Sequence, residues 1–165
     1  MAKKIIKNVL IFLLAALVII QFFHPKPNKS SGEQLHNISK VFSVPEDVKS
    51  ILAKACFDCH SNNTRYPWYS NIQPVDWWMA GHVNDGKKGL NFDEYTSRSL
   101  RYQYNKMKDL IDQVKPGDMP LNSYTWIHKD AILTQPEKDK LINWATANMD
   151  TMKAKYPIDS LVRKK

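Results

Sequence analysis

Cys56-Phe57-Asp58-Cys59-His60 contains the only two cysteines of the chain, three positions apart, with a histidine directly behind the second. On a helical turn this spacing presents two thiols to one neighbouring volume and aims an imidazole at it. Thioether bonds to the two vinyl groups of a haem, together with a nitrogen ligand to its iron, require that arrangement. The run therefore predicts one covalent haem c, with Cys56 and Cys59 as attachment points and His60 as the proximal iron ligand. A chain built around it must keep an apolar space beside this turn.

Two other uses of the cysteines stay open at this level. A structural zinc ion wants four ligands. Two would have to come from His36, His60, His82 and His128, which lack the spacing of a zinc finger. Dithiol redox chemistry wants a βαβ setting, and the flanking pattern here is helical.

The net charge of +8 is not a nucleic-acid signal. Lys3, Lys4, Lys7, Lys26 and Lys29 flank an apolar N-terminal run, and Arg163, Lys164 and Lys165 close the chain; removing these eight from the 24 basic residues leaves 16, equal to the 16 acidic ones. A neutral body of this kind excludes an extended basic binding face, so no nucleic-acid partner is expected. Asn8 to Phe23 is uncharged, and the run reaches Ile5 if Lys7 extends toward the headgroups. Residues 1–23 are expected to be a transmembrane helix that anchors the protein to a membrane. The lysines sit at its cytoplasmic end and the body lies on the far side. Gln21-Phe22-Phe23-His24-Pro25 offers no small-x-small site, which favours a retained anchor over a cleaved signal peptide.

Residues 24–42, with Pro25, Pro27, Ser30, Ser31 and Gly32, read as a flexible tether. Ser43-Val44-Pro45-Glu46 reads as a helix cap, and Val48, Ile51, Leu52, Ala55, Cys56 and Cys59 then fall on one apolar stripe. Pro67 and Pro74 mark a loop, with a short helix from Pro74 to Gly86. Asn91-Phe92-Asp93-Glu94 reads as a second cap, ahead of Leu100, Tyr104, Met107, Ile111 and Val114 at helical spacing. Pro116-Gly117 ends that helix, and a loop runs from Asp118 to His128. Thr134-Gln135-Pro136-Glu137 caps a last helix with Leu141, Ile142, Trp144, Ala145 and Met149 on its apolar side. The expected organisation is a single all-α domain over residues 43–156, followed by a frayed basic tail, 157–165.

The second axial position decides what such an iron can do. A thioether there makes an electron carrier, and an open position admits small ligands. Met119 is the first candidate, because Asp118-Met119-Pro120 lies on a loop that can reach back toward the iron; His82 and His128 are the alternatives. Trp68, Tyr69, Trp77 and Trp78 form an aromatic cluster that suits a core or a haem wall, and Pro120 and Tyr124 are further candidates for the pocket.

Cys56-Phe57-Asp58-Cys59-His60-Ser61-Asn62, Tyr66-Pro67-Trp68-Tyr69, Pro74, Trp77-Trp78, Gly86, Leu90-Asn91-Phe92, Gly117-Asp118-Met119-Pro120, Tyr124, His128, Ala131, Leu133, Glu137 and Trp144 occur in an order that resembles the small haem-binding-domain proteins of the c-type cytochrome group of bacterial envelopes. The resemblance runs from about Val44 to Met149. It implies a cytochrome-c-like helical fold, one covalent haem, His60 proximal and Met119 distal. It names no redox partner. The function expected is electron transfer by a membrane-anchored c-type cytochrome at the periplasmic face of the bacterial inner membrane. A peroxidase-type or ligand-sensing domain with an exchangeable distal ligand is the alternative.

Overall fold

The computed structural model describes residues 1–163, so Lys164 and Lys165 of the expected tail lie outside the described residues. Among those residues the protein is all-helical, with no strand. The elements are α1 (Ala2–Ile20), α2 (Glu46–Ala55), α3 (Phe57–His60), α4 (Val75–Gly89), α5 (Leu100–Val114), α6 (Asn122–Thr125), α7 (Gln135–Lys155) and α8 (Ile158–Leu161), with four 3-10 turns between them.

The core forms where α5 crosses α7, and α2 and α8 close it from two sides. Leu52, Met107, Leu141, Ala145, Met152 and Leu161 are buried at its centre, with Phe92 and Tyr95 beneath them. Met107 thus belongs to the core, as its place in the α5 stripe predicts. Truncating a leucine such as Leu141 to alanine in a core of this kind costs roughly 2–5 kcal/mol. The Tyr95 hydroxyl donates to Gln103 O at 2.6 Å and the Trp144 indole donates to Ser43 O at 2.9 Å, so these two buried polar tips are satisfied.

Thr134 caps α7 as the sequence predicts: its amide and hydroxyl both donate to Glu137, and the reciprocal capping box is complete. Two other caps differ. Pro45, extended at φ −56° and ψ 148°, is the N-cap of α2, so the helix begins at Glu46, and Glu46 and Asp47 meet its positive end. Asn91 caps a 3-10 turn, Phe92–Ser97, rather than the long helix. Glu94 and Arg98 leave helical geometry, and Ser99 provides the cap of α5 instead.

Three boundaries also move. The single stripe expected to run through both cysteines is interrupted: Cys56, at φ −128°, ends α2, and α3 starts afresh at Phe57. The helix expected to stop at Gly86 continues to Gly89. The tail beyond Pro157 is not frayed, because Leu161 is 0% exposed and Arg101 donates to Asp159 O at 2.7 Å.

The segment read as a flexible tether is fastened to the domain. Ile38 and Phe42 enter the core, and Asn28 donates to Ser61 O and Thr64 Oγ1 at 2.9 Å each and accepts from the Thr64 amide at 3.1 Å. α1 corrects the expected transmembrane helix, since no helix among the described residues is long and apolar enough to cross a membrane. Its first two turns carry Lys3, Lys4 and Lys7, and the uncharged remainder from Asn8 to Ile20 rises only about 20 Å against a hydrocarbon core of about 30 Å. It has no buried residue.

Candidate haem site

α3 is a single turn set between the break at Cys56 and the extended Ser61, and three neighbours fix its orientation. The first is α4. Gly86 lies so close that a Cβ there would stand 2.6 Å from Cys59 O, an approach only glycine permits. The second is the carbonyl of Leu90, 2.9 Å from His60 Nδ1. A carbonyl only accepts, so Nδ1 carries the proton and Nε2 is left with its lone pair, the tautomer an iron ligand needs. Burial holds the His60 imidazole below its ordinary pKa, which keeps it neutral. The third is the 3-10 turn at Phe92–Ser97: Asn62 N donates to Asp93 Oδ2 at 2.7 Å, and Asn91 Nδ2 donates to Asn62 Oδ1 at 2.8 Å.

Asp58, between the two cysteines, is 6% exposed yet carries a carboxylate. Arg65 meets it through its backbone amide at 3.0 Å and its side chain at 3.2 and 3.3 Å, and the Tyr124 hydroxyl donates to it at 2.7 Å. Tyr124 in turn stacks on His128 with ring centroids 4.2 Å apart, and the Tyr69 hydroxyl lies 2.8 Å from His128 Nε2. This chain of contacts ties α6 to the cysteine turn. Burial and the adjacent carboxylate push the Tyr124 pKa up, so it stays a hydrogen-bond donor.

The turn opens on a cavity of about 490 Å³ whose lining includes Cys56, Cys59 and His60. Val83, Leu90, Phe92, Leu110 and Val114 supply apolar wall; the charged side chains on it are Arg65 and Lys106, paired with Asp58 and Asp109, and Asp85. Trp78, His82, Met119, Pro120, Tyr124 and His128 line it too. Trp68, Tyr69 and Trp77, expected as possible pocket residues, are not on this lining. Trp68 is 77% exposed because it sits on the outer side of its turn, the Trp77 indole faces the chain leaving α1, and Tyr69 reaches the site only through His128.

Met79 lines the cavity and was not among the sequence candidates. Its signal was available: Met79, Val83 and Gly86 recur at i, i+4 and i+7, the face of α4 that packs on α3.

The thiols sit in apolar surroundings. Burial pushes Cys56 up to about 12 and Cys59 to about 11, so neither is a ready thiolate at neutral pH. Among the described residues, no group of three or more His, Cys, Asp or Glu side chains is placed to hold a metal ion by itself. The raised thiol pKa values count against dithiol exchange, and a structural zinc ion would find fewer than its usual four ligands among the described residues. An apolar cavity lined by two thiols and one lone-pair imidazole fits a macrocycle that bonds through both.

An all-helical domain with such a cavity can accommodate a haem. The chain belongs to the haem-binding-domain family, whose profile matches residues 15–147. Neither a curated protein nor a solved structure is significantly similar to it.

Proposed function

We propose that the protein is a c-type cytochrome that carries single electrons, with haem joined to Cys56 and Cys59, His60 as the proximal ligand and Met119 as the distal one. The observation that carries this reading is the meeting of Cys56, Cys59, His60 and Met119 on the lining of one apolar cavity, with His60 held by Leu90 in the ligating tautomer. When bound, the haem supplies a reversible one-electron couple, and a thioether opposite an imidazole favours its ferrous state.

The chain's own residues provide the setting. Gly86 lets α4 press on the cysteine turn, the Leu90 carbonyl orients the imidazole, and apolar side chains limit water. Arg65 and Lys106 line the cavity already paired with Asp58 and Asp109, so each would have to share or leave its carboxylate to meet a carboxylate arm of the haem. His128 is the weaker histidine alternative, because its Nε2 is already engaged by Tyr69. His82 keeps the same pattern as His60, its Nδ1 lying 3.0 Å from Trp78 O, and is the competitor to Met119.

The basic-then-apolar N-terminus supports export of the haem domain, and α1, which has no buried residue, is the element that attaches it to lipid. The body is assigned to the extracytoplasmic face of a bacterial inner membrane, where it meets a redox partner. Spectra of the oxidised and reduced protein, with and without carbon monoxide, test the reading. A methionine-to-iron charge-transfer band and indifference to carbon monoxide are expected. Ready carbon monoxide binding by the native protein points instead to the peroxidase-type or sensing alternative.

A further inference from the structure

α1 does not simply lead into the domain; it is bolted to it. The Gln21 side chain accepts from the Gln73 amide at 2.9 Å and donates to Gln73 O at 3.2 Å. Phe23 O accepts from Gln73 Nε2 and from the Trp77 indole, both at 2.8 Å, and His24 Nδ1 is 2.7 Å from Asp76 Oδ2. Gln73 is 1% and Asp76 8% exposed, so this is a built joint and not a chance surface contact.

The joint fixes a level. Trp77 stands beside the residue that ends the apolar run, with its N–H satisfied and its ring 42% exposed. Trp68 and Ile72, also exposed, lie on the turn just ahead of α4 that packs against it. The Tyr69–His128 bond brings the end of α6, with exposed Trp126 and Ile127, beside that same turn. None of these five side chains lines the haem cavity, so haem does not cover them.

We propose that Trp68, Ile72, Trp77, Trp126 and Ile127 form a shoulder that seats the haem body on the headgroup–acyl boundary of a lipid bilayer. The proposal rests on the reading of α1 as the lipid-attached element. Indole rings with one wet edge and one apolar body favour that boundary. Continuity selects lipid over a partner protein: α1 is apolar from Val9 to Ile20 with no buried residue, and its surface runs into the shoulder through exposed Phe22 and Phe23. Lipid covers both such an apolar stretch and an aromatic collar at its end. Since Trp77 is followed on α4 by cavity-lining Trp78, Met79 and His82, the seat holds that wall of the cavity close to the membrane surface.

The test uses the full-length holoprotein in phosphatidylcholine–phosphatidylglycerol vesicles that contain a phospholipid with a photoreactive diazirine on the upper acyl chain, with adducts mapped by mass spectrometry. Adducts are expected on α1, on the 67–78 segment and on the 124–128 segment, and not on α7. A Trp68→Asp/Trp126→Asp variant should lose the body adducts while keeping those on α1 and the native haem spectrum. Adducts on α1 with none on either body segment overturn the shoulder and leave the attachment by α1 standing. Vesicles that float free of the protein overturn that attachment, and the shoulder with it.

Discussion

His60 comes to the cavity from a turn clamped by Gly86, the Leu90 carbonyl and Asn62, whereas the other four side chains on the lining that could bind iron come from three separate segments. Met79 and His82 lie on α4, Met119 on the loop after α5, and His128 beyond α6. One wall has a single answer built into its backbone; the other offers a choice. A pre-oriented ligand loses little entropy on binding, while a ligand on a loop is selected by what holds the loop. For the segment after α5 the holding group is Asp58, which receives Tyr124 and lies between the two cysteines. Met79 and His82 are fixed instead by the packing of α4 on α3.

The comparison breaks first if the cysteines are dispensable. Cys56→Ala/Cys59→Ala should abolish covalent haem entirely, read as loss of haem colour from the polypeptide after extraction with acidified organic solvent. Next comes the choice itself. Met119→Ala should keep the haem, open the iron to carbon monoxide and lower the reduction potential by an amount on the order of 100 mV, within the ~0.8 V span that axial ligands set. Met79→Ala and His82→Ala should leave the potential near that of the native protein. If His82→Ala is the variant that opens the iron, the distal ligand is a histidine.

A smaller effect sharpens the link between the two walls. Tyr124→Phe leaves the buried Asp58 carboxylate without one donor and should cost about 1–3 kcal/mol in denaturant unfolding, with faster carbon monoxide entry as the loop loosens. Gly86→Ala should cost a similar 1–3 kcal/mol, because α4 must back away from the Cys59 carbonyl, and it should disturb the haem spectrum, which Tyr124→Phe should change less. The smallest effect concerns pH. Burial lowers the His60 pKa in the folded state from an ordinary value of 6.5. In the haem-free chain the unfolded state therefore takes up the proton first, so stability held above that value is lost as pH falls through the lower folded one. Urea midpoints of the haem-free chain at neutral and at mildly acid pH check the sign.

The placing of both thiols and the imidazole on one turn beside an apolar cavity was legible because it is local: five consecutive residues hold all three. The same holds for the cap at Thr134 and for Met107 in its helical stripe. What stayed hidden depended on partners far along the chain. Asn91 and Ser43 carry cap-forming side chains, but an asparagine satisfies a 3-10 turn as readily as a helix, and Pro45 takes the cap itself. Leu161 looked like part of a charged tail because its burial comes from packing with α5 and α7. Trp68 and Trp77 looked like a haem wall because aromatic residues suit a core and an outer surface equally, and the backbone alone decides which way they face. Ile38 and Phe42, four residues apart, did carry a signal of packing, masked by the prolines and serines before them.

The fastening of Asn28 to Ser61 and Thr64 decides how far the domain can travel. A free strand of 19 residues would let the body roam on the order of 24 Å from the end of α1. With Asn28 stitched beside the turn that follows His60, and Gln21 and His24 already bound, that leash has no slack. In the membrane-attached electron carrier proposed above, the body would not swing out to look for its donor or acceptor. Encounters would come to it, by diffusion of the partner through the surrounding fluid or of both along the membrane plane, and their frequency would follow the partner's abundance rather than the length of a linker.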